Sequence, residues 1–302
     1  MICYQSSHIA EACNFAMRCL CCLSDKIRLR LFDRHEYLCC RNCGFVFKPK
    51  EEIQDSRNLI KKHYRGSDPH ERVAESKQSF FNQALNYLSK HVDKDKNLLD
   101  VGCGYGYFLK MAADRAWIVK GIEITGDAAR SSKELLGEQN IFHGVITEAN
   151  FPDNTFDAVT LWDVLVFVDD PFEDLKECYR ILKREGTLGI RARNVFFQKM
   201  MHQLYSPLKT LAPGFGVKKP YVFHRYCFSA DSIYRILRRV GFEKIRITNS
   251  PLTQGDPYSH TNLMGATHLV KRSIFLFAEA LFTLSSAKWI VGPSLLIWAQ
   301  KH

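Results

Sequence analysis

No stretch of this 302-residue sequence holds the roughly eighteen uninterrupted apolar residues that a bilayer-spanning helix requires. The nearest approach, "SIFLFAEALFTL", is broken by Glu279, and "SSAK" parts it from "WIVGPSLLIWA". The opening "MICYQSSHIAEACNFAMR" lacks a basic leader followed by an unbroken apolar core, so no secretory signal is expected. Low-complexity tracts are absent as well. These absences predict a cytoplasmic chain, membrane-peripheral at most, whose thiols stay reduced. What the chain does have is positive charge and cysteine. Its 42 Lys and Arg against 32 Asp and Glu leave a net charge of +10, which suits either an acidic partner or a solvated face.

Eleven cysteines are many, and in a reducing compartment they point to metal ligands or buried thiols. Two pairs near the N-terminus have ligand spacing, Cys19 with Cys22 and Cys40 with Cys43, separated by seventeen residues. Such a pattern sets two knuckles at the ends of a short hairpin, where four thiolates can surround one tetrahedral Zn2+. A four-cysteine site is closed to substrate, so the expected role is structural. Cys21 and Cys39 compete for the ligand positions, whereas Cys3 and Cys13 are not expected to be ligands. The competing reading is a set of incidental thiols.

From Leu98 the sequence alternates between short apolar runs and helical stretches: "NLLDVG", "YFLKMAADR", "IVKGIEI", "AARSSKELLG", "IFHGVI", "FDAVTLWDVL", then a helix through "DDPFEDLKECYRIL" and a strand through "GTLGIRARN". That rhythm predicts an α/β fold, a mostly parallel sheet with helices on both faces and a ligand at the strands' carboxyl ends. The organisation expected is a small module over 1–50, a helical linker or cap over 51–97 broken at "GSDP", and a sheet domain over 98–302. Within the last lie an insertion at about 195–225 and an apolar helix at about 270–288.

The loop "LLDVGCGYGYF" carries Gly102, Gly104 and Gly106. The third glycine comes one residue too early for a dinucleotide-binding loop, and Asp100 would repel a phosphate. A carboxylate there suits a ligand bearing an ammonium or sulfonium. About twenty residues on, Glu123 stands at the tip of the second strand, placed to accept ribose hydroxyls. A ribose acceptor without a phosphate cradle suggests S-adenosyl-L-methionine; a plain strand-turn-helix junction is the alternative.

Taken together, "LLDVGCGYGYF", "GIEI", "FPDNTFDAVTLWDVL" and "RILKREGTLGIRARN" resemble a class I S-adenosylmethionine-dependent methyltransferase, over about Leu98 to Gly241. The prelude "CRNCGFVFKP" and the later "YVFHRYCFSADSIYRILRRVGFEKI" resemble a subgroup in which a zinc-knuckle domain precedes the methyltransferase. The resemblance implies a Rossmann-like sheet with a small zinc-ribbon-like N-terminal module. It puts Asp100, Gly102, Cys103, Gly104 and Gly106 around the methionine moiety and Glu123 on the ribose. Ile124 would lie against the adenine, Val145 and Ile146 would line its pocket, and Asp163 would border the sulfonium. Tyr105 could shield the cofactor. The subgroup commonly has a Glu-His pair after "DVL", where this chain has Val166 and Phe167.

Methyl transfer from a sulfonium is an in-line displacement, so positioning is the protein's main task and a base is optional. His224 and, after it, Tyr226 are the candidate bases. A small-molecule acceptor is expected: a sugar, a saccharide precursor or a lipid-linked metabolite. RNA is a rival acceptor, argued against by the lack of an Asn-Pro-Pro-Tyr or Asp-Pro-Pro-Tyr type of loop and by scattered cations. A catalytically silent cofactor-binding protein is a second rival, raised by the missing Glu-His pair. The C-terminal apolar helix has three readings: burial against the sheet, a homo-oligomer contact, or a peripheral membrane contact flanked by Lys271, Arg272 and Lys288.

Overall fold

The computed structural model describes residues 18–48, 70–92, 96–208, 219–251, 253 and 264–302, with the side chains of 70–74, 208 and 264–271 outside the description. The break at "GSDP", most of the linker, Cys3, Cys13 and Lys271 lie outside the described residues or side chains.

Strands β1 (Ile27–Phe32), β2 (His35–Cys40) and β3 (Val46–Phe47) pair antiparallel, and helix α1 (His70–His91) follows. The β1–β2 hairpin turns on Asp33 and Arg34, with φ of 51° and 68°. Positive φ at both central residues matches the twist of the flanking strands. The expected alternation comes next: β4 (Asn97–Val101), α2 (Tyr107–Ala113), β5 (Ile118–Glu123), α3 (Gly126–Leu136), β6 (Ile141–His143), β7 (Phe156–Trp162), α4 (Pro171–Ile181) and β8 (Leu182–Arg193). Helix α5 (Val195–Tyr205), β9 (Tyr226–Cys227), α6 (Ala230–Val240), β10 (Glu243–Asn249), α7 (Met264–Leu284) and β11 (Ser294–Gln300) complete the described strands and α-helices.

Seven strands form one sheet in the order β10-β11-β8-β7-β4-β5-β6. From β6 to β8 the pairings are parallel, and β11 runs antiparallel to both of its neighbours. Both faces are covered. Consecutive residues of a strand point to opposite sides, and Leu98 and Leu99 are each 0% exposed. Leu98 belongs to the core layer that holds Phe80, Leu85 and Leu88 of α1 and Leu109 of α2, whereas Leu99 belongs to the one that holds Leu175 and Ile181 of α4 and Ile233 and Leu237 of α6. Each such leucine contributes about 1.5–3 kcal/mol to the core. This is a Rossmann-like architecture.

The sheet grows outward from β4 to β5 and β6, then the chain returns to place β7 on the other flank of β4. That reversal opens a crevice at the carboxyl ends of β4 and β7. It fixes where the glycine loop and Asp163 must meet.

The small N-terminal sheet is not built from 1–50 alone. Its order is β1-β2-β3-β9, so Tyr226 and Cys227 pair with Phe47 and Val46. Ser229 Oγ donates to the Cys43 carbonyl, and Phe45 stacks on Phe47 and Tyr226.

Glu279, which interrupts the C-terminal apolar run, accepts a hydrogen bond from Asn249 Nδ2 at 2.9 Å. Ala278 beside it is buried, but Leu276, Phe277 and Leu284 are 57%, 65% and 83% exposed. Helix α7 is therefore packed against the sheet along one side only. No helix among the described residues is long and apolar enough to cross a membrane.

Candidate functional site

After β4 the loop of Gly102, Gly104 and Gly106 turns the chain into α2, with φ of 72°, 56° and 80° at the three glycines. A Cβ on Gly102 would sit 2.4 Å from Val164 Cγ2, in the segment that follows β7. Gly102 is thus required by close packing as well as by its backbone. At Gly104 nothing lies within 4 Å of the Cβ position. Backbone there fronts open space that a ligand can enter.

Glu123 ends β5 and is buried. One of its oxygens accepts from Gly104 N–H and the other from Thr125 N–H, each at 2.8 Å. Each oxygen keeps a further lone pair. The Thr125 hydroxyl next to it is buried, with no hydrogen-bond partner among the described residues. An orphaned hydroxyl beside a half-satisfied carboxylate fits a ribose diol.

Asp100 is 2% exposed and accepts from Thr160 Oγ at 2.6 Å. Burial pushes its carboxyl up to about 7, against the opposing pull of the Thr160 hydroxyl and the Lys77 ammonium. A buried carboxylate this short of positive charge fits the ammonium end of a methionine moiety. Cys103 is buried and burial pushes its thiol up, so it lines the loop as an inert side chain. Tyr105 is half-buried on the same loop.

At the tip of β5 and β6, Ile124 and Val145 are half-buried, and the Ile124 carbonyl lies 3.2 Å from His143 Nε2. Ile146 differs from expectation. It is 1% exposed and packs in the core with Leu99 and Leu175, so Val145 is the member of the pair left near the crevice.

Asp163 follows β7 with a φ of 65°, a left-handed conformation uncommon for a non-glycine residue. Its Oδ2 is 3.1 Å from Lys77 Nζ and 2.5 Å from Arg191 Nη1. Burial works to raise the carboxyl, but Arg191 and Lys77 outweigh it and hold it well below the usual carboxylate range. Asp163 is a fixed anion, unsuited to take up a proton. Lys77, Arg191, Thr160 and Thr125 complete the crevice without any mark in the sequence. Lys77 sits in a charged helix that reads as a cap, and only the two threonines, buried in or just after apolar strands, are unusual for their places.

The two candidate bases part company. His224 is brought beside the segment after β7, where its ring meets Phe167 edge-on at 4.7 Å. It therefore stands against one of the two residues that replace the Glu-His pair. Tyr226 belongs to β9, and its hydroxyl donates to the Asp169 carbonyl at 2.8 Å while burial pushes the phenol up. That hydroxyl is spent on holding the small sheet.

The four spaced cysteines converge. Cys19 and Cys43 sulfurs lie 3.5 Å apart, those of Cys22 and Cys40 lie 3.6 Å apart, and all four fall within 4.8 Å of one another. Tetrahedral zinc at its usual thiolate bond length separates sulfurs by about 3.8 Å, so the donor set fits that ion. Cys21 stays outside the quartet, and Cys39 packs with Val195 and Cys227.

Residues 99–190, from β4 through most of β8, match the family model of a methyltransferase domain. The chain carries an S-adenosylmethionine-dependent methyltransferase domain. A demethylmenaquinone methyltransferase of Bacillus licheniformis is 29% identical to it over 188 residues, 59% of this chain and 80% of that protein. Its namesake in Listeria monocytogenes is 34% identical over 106 residues, but the match spans only 32% of this methyltransferase and 45% of the relative. Among solved structures, phosphoethanolamine N-methyltransferase 2 of Haemonchus contortus shares the fold, with a TM-score of 0.51, 16% identity, and coverage of 82% of this chain and 61% of that one.

Proposed function

We propose that this methyltransferase binds S-adenosylmethionine in the crevice between β4, β5 and β7 and methylates a small molecule at its mouth. The observation that carries the reading is the pair of buried carboxylates around the glycine loop, Asp100 and Glu123. Asp100 would hold the ammonium, Glu123 with Thr125 the ribose, and Gly104 the approach of the methionine moiety. Ile124 and Val145 would line the adenine pocket. When bound, the cofactor supplies an electrophilic methyl group.

The protein's contribution is orientation and exclusion of water. The segments after β7 and β8 and the stretch His224–Phe228 wall the mouth, since Tyr226 N–H donates to the Val166 carbonyl and Val195 N–H to the Phe228 carbonyl. His224, which lies against Phe167, would take a proton from an acceptor that must lose one. The similarity to demethylmenaquinone methyltransferases supports a small, largely apolar acceptor of the quinol kind. The cysteine quartet would hold structural zinc, which ties the small sheet to the mouth through β9.

Incubating the protein with methyl-labelled S-adenosylmethionine and a metabolite extract tests the reading. A labelled small molecule is expected; label found only in RNA or protein would refute it.

A further inference from the structure

We propose that the methyl acceptor presents an oxyanion, as a carboxylate, phosphate or ionised hydroxyl, to Lys77 and Arg191 at the mouth of the crevice. The inference rests on the reading of that crevice as the cofactor site. Lys77 and Arg191 share a single carboxylate oxygen, Asp163 Oδ2, at 3.1 and 2.5 Å. Arg193, at the end of β8, also acts on Asp163 through space. Three cations against one carboxylate leave positive charge in surplus.

The arrangement is held in place. Arg191 is 9% exposed, its Nε donates to Ser250 Oγ at 2.9 Å, and its guanidinium lies 5.2 Å above the Phe80 ring. Among the described residues, its Nη2 and two of the three Lys77 ammonium hydrogens have no acceptor in the protein. Three of the five guanidinium N–H groups of Arg191 are therefore left to solvent or a ligand, and a bidentate oxyanion matches the geometry of the fork. Asp100 lies within electrostatic reach of Lys77. Once the cofactor is seated, its α-ammonium and α-carboxylate offset one another and its sulfonium adds one net positive charge to the crevice. A protonated amine would be repelled from this mouth, whereas an oxyanion would be drawn in.

A purely structural role, pinning α1 to the sheet through Lys77–Asp163, makes a different forecast. The full chain saturated with S-adenosylhomocysteine is titrated calorimetrically with benzoate, phenyl phosphate and, as the uncharged counterpart, benzyl alcohol. The expected result is that at least one of the two anions binds tenfold or more tighter than benzyl alcohol. Lys77→Gln is expected to weaken that binding by about tenfold to a hundredfold, the scale of a lost charge-assisted hydrogen bond. Lys77→Arg, which keeps the charge, should retain the preference. Equal affinity for the charged and neutral probes, no anion binding, or an effect of Lys77→Gln confined to thermal stability would overturn the proposal. Binding of S-adenosylhomocysteine is measured first, so failure of the cofactor reading registers as a separate result.

Discussion

Asp100 should make cofactor binding depend steeply on pH. Burial pushes its carboxyl up to about 7, and an ammonium seated against it favours the ionised form. Binding must therefore release a proton wherever the free protein still carries one. The sign follows: affinity falls as the pH drops below 7 and rises toward a plateau set by the ionised carboxylate until, above about 8, the ligand's own α-amino group loses its proton. At pH 6 about nine in ten Asp100 side chains hold the proton, so affinity should lie about tenfold, or 1.4 kcal/mol, below its plateau. The ligand's own α-amino group, with a pKa of about 7.7–8.0, stays charged across pH 5.5 to 7 and does not mimic the effect. The same raised pKa favours folding in acid, a contribution lost as the pH rises from the ordinary carboxylate range through about 7. Calorimetry with S-adenosylhomocysteine in two buffers of different ionisation heat reads affinity and proton release together. Asp100→Asn, which mimics the neutral acid, should bind weakly and lose the pH dependence. A wild-type affinity that stays constant within about twofold from pH 5.5 to 7, with no proton released, would refute the reasoning.

Replacing Glu123 by Ala removes the acceptor of the Gly104 and Thr125 amides and should weaken cofactor binding by about 1.5–3 kcal/mol, with unchanged affinity rejecting its ribose role. Gly102→Ala forces a Cβ to within 2.4 Å of Val164 Cγ2 at a φ of 72°. It should cost about 1–3 kcal/mol in chemical denaturation, partly recovered in a Val164→Ala background, and equal stability of the single variant would contradict the packing. Metal analysis of the purified protein should find about one zinc per chain, lost together with thermal stability in Cys40→Ser. A metal-free protein with an intact small sheet would remove the structural role.

The sheet was legible because its apolar runs are short, regularly spaced and followed by helical stretches, and each strand that the pattern names is present. Gly102, Asp100 and Glu123 were legible because their chemistry is local: a turn needing glycine, and two acids at strand tips. Ile146 was misplaced by a one-residue ambiguity, since a short helical turn after β6 carries it into the core. Lys77 and Arg191 reach Asp163 from two distant segments, and no spacing rule joins them. The same reason hid β9, whose two residues carry no strand pattern of their own and take their conformation from the edge they join.

The closing strand β9 also sets an order of events during synthesis. Phe47 leaves the ribosome long before its partner Tyr226 exists, and at ordinary translation speeds the wait is roughly 10 to 40 seconds. Throughout that interval the hairpin and its thiols stand without their fourth strand, open to oxidants and to chaperones. Early capture of the metal is the step that would shelter this ribbon until the rest of the polypeptide arrives.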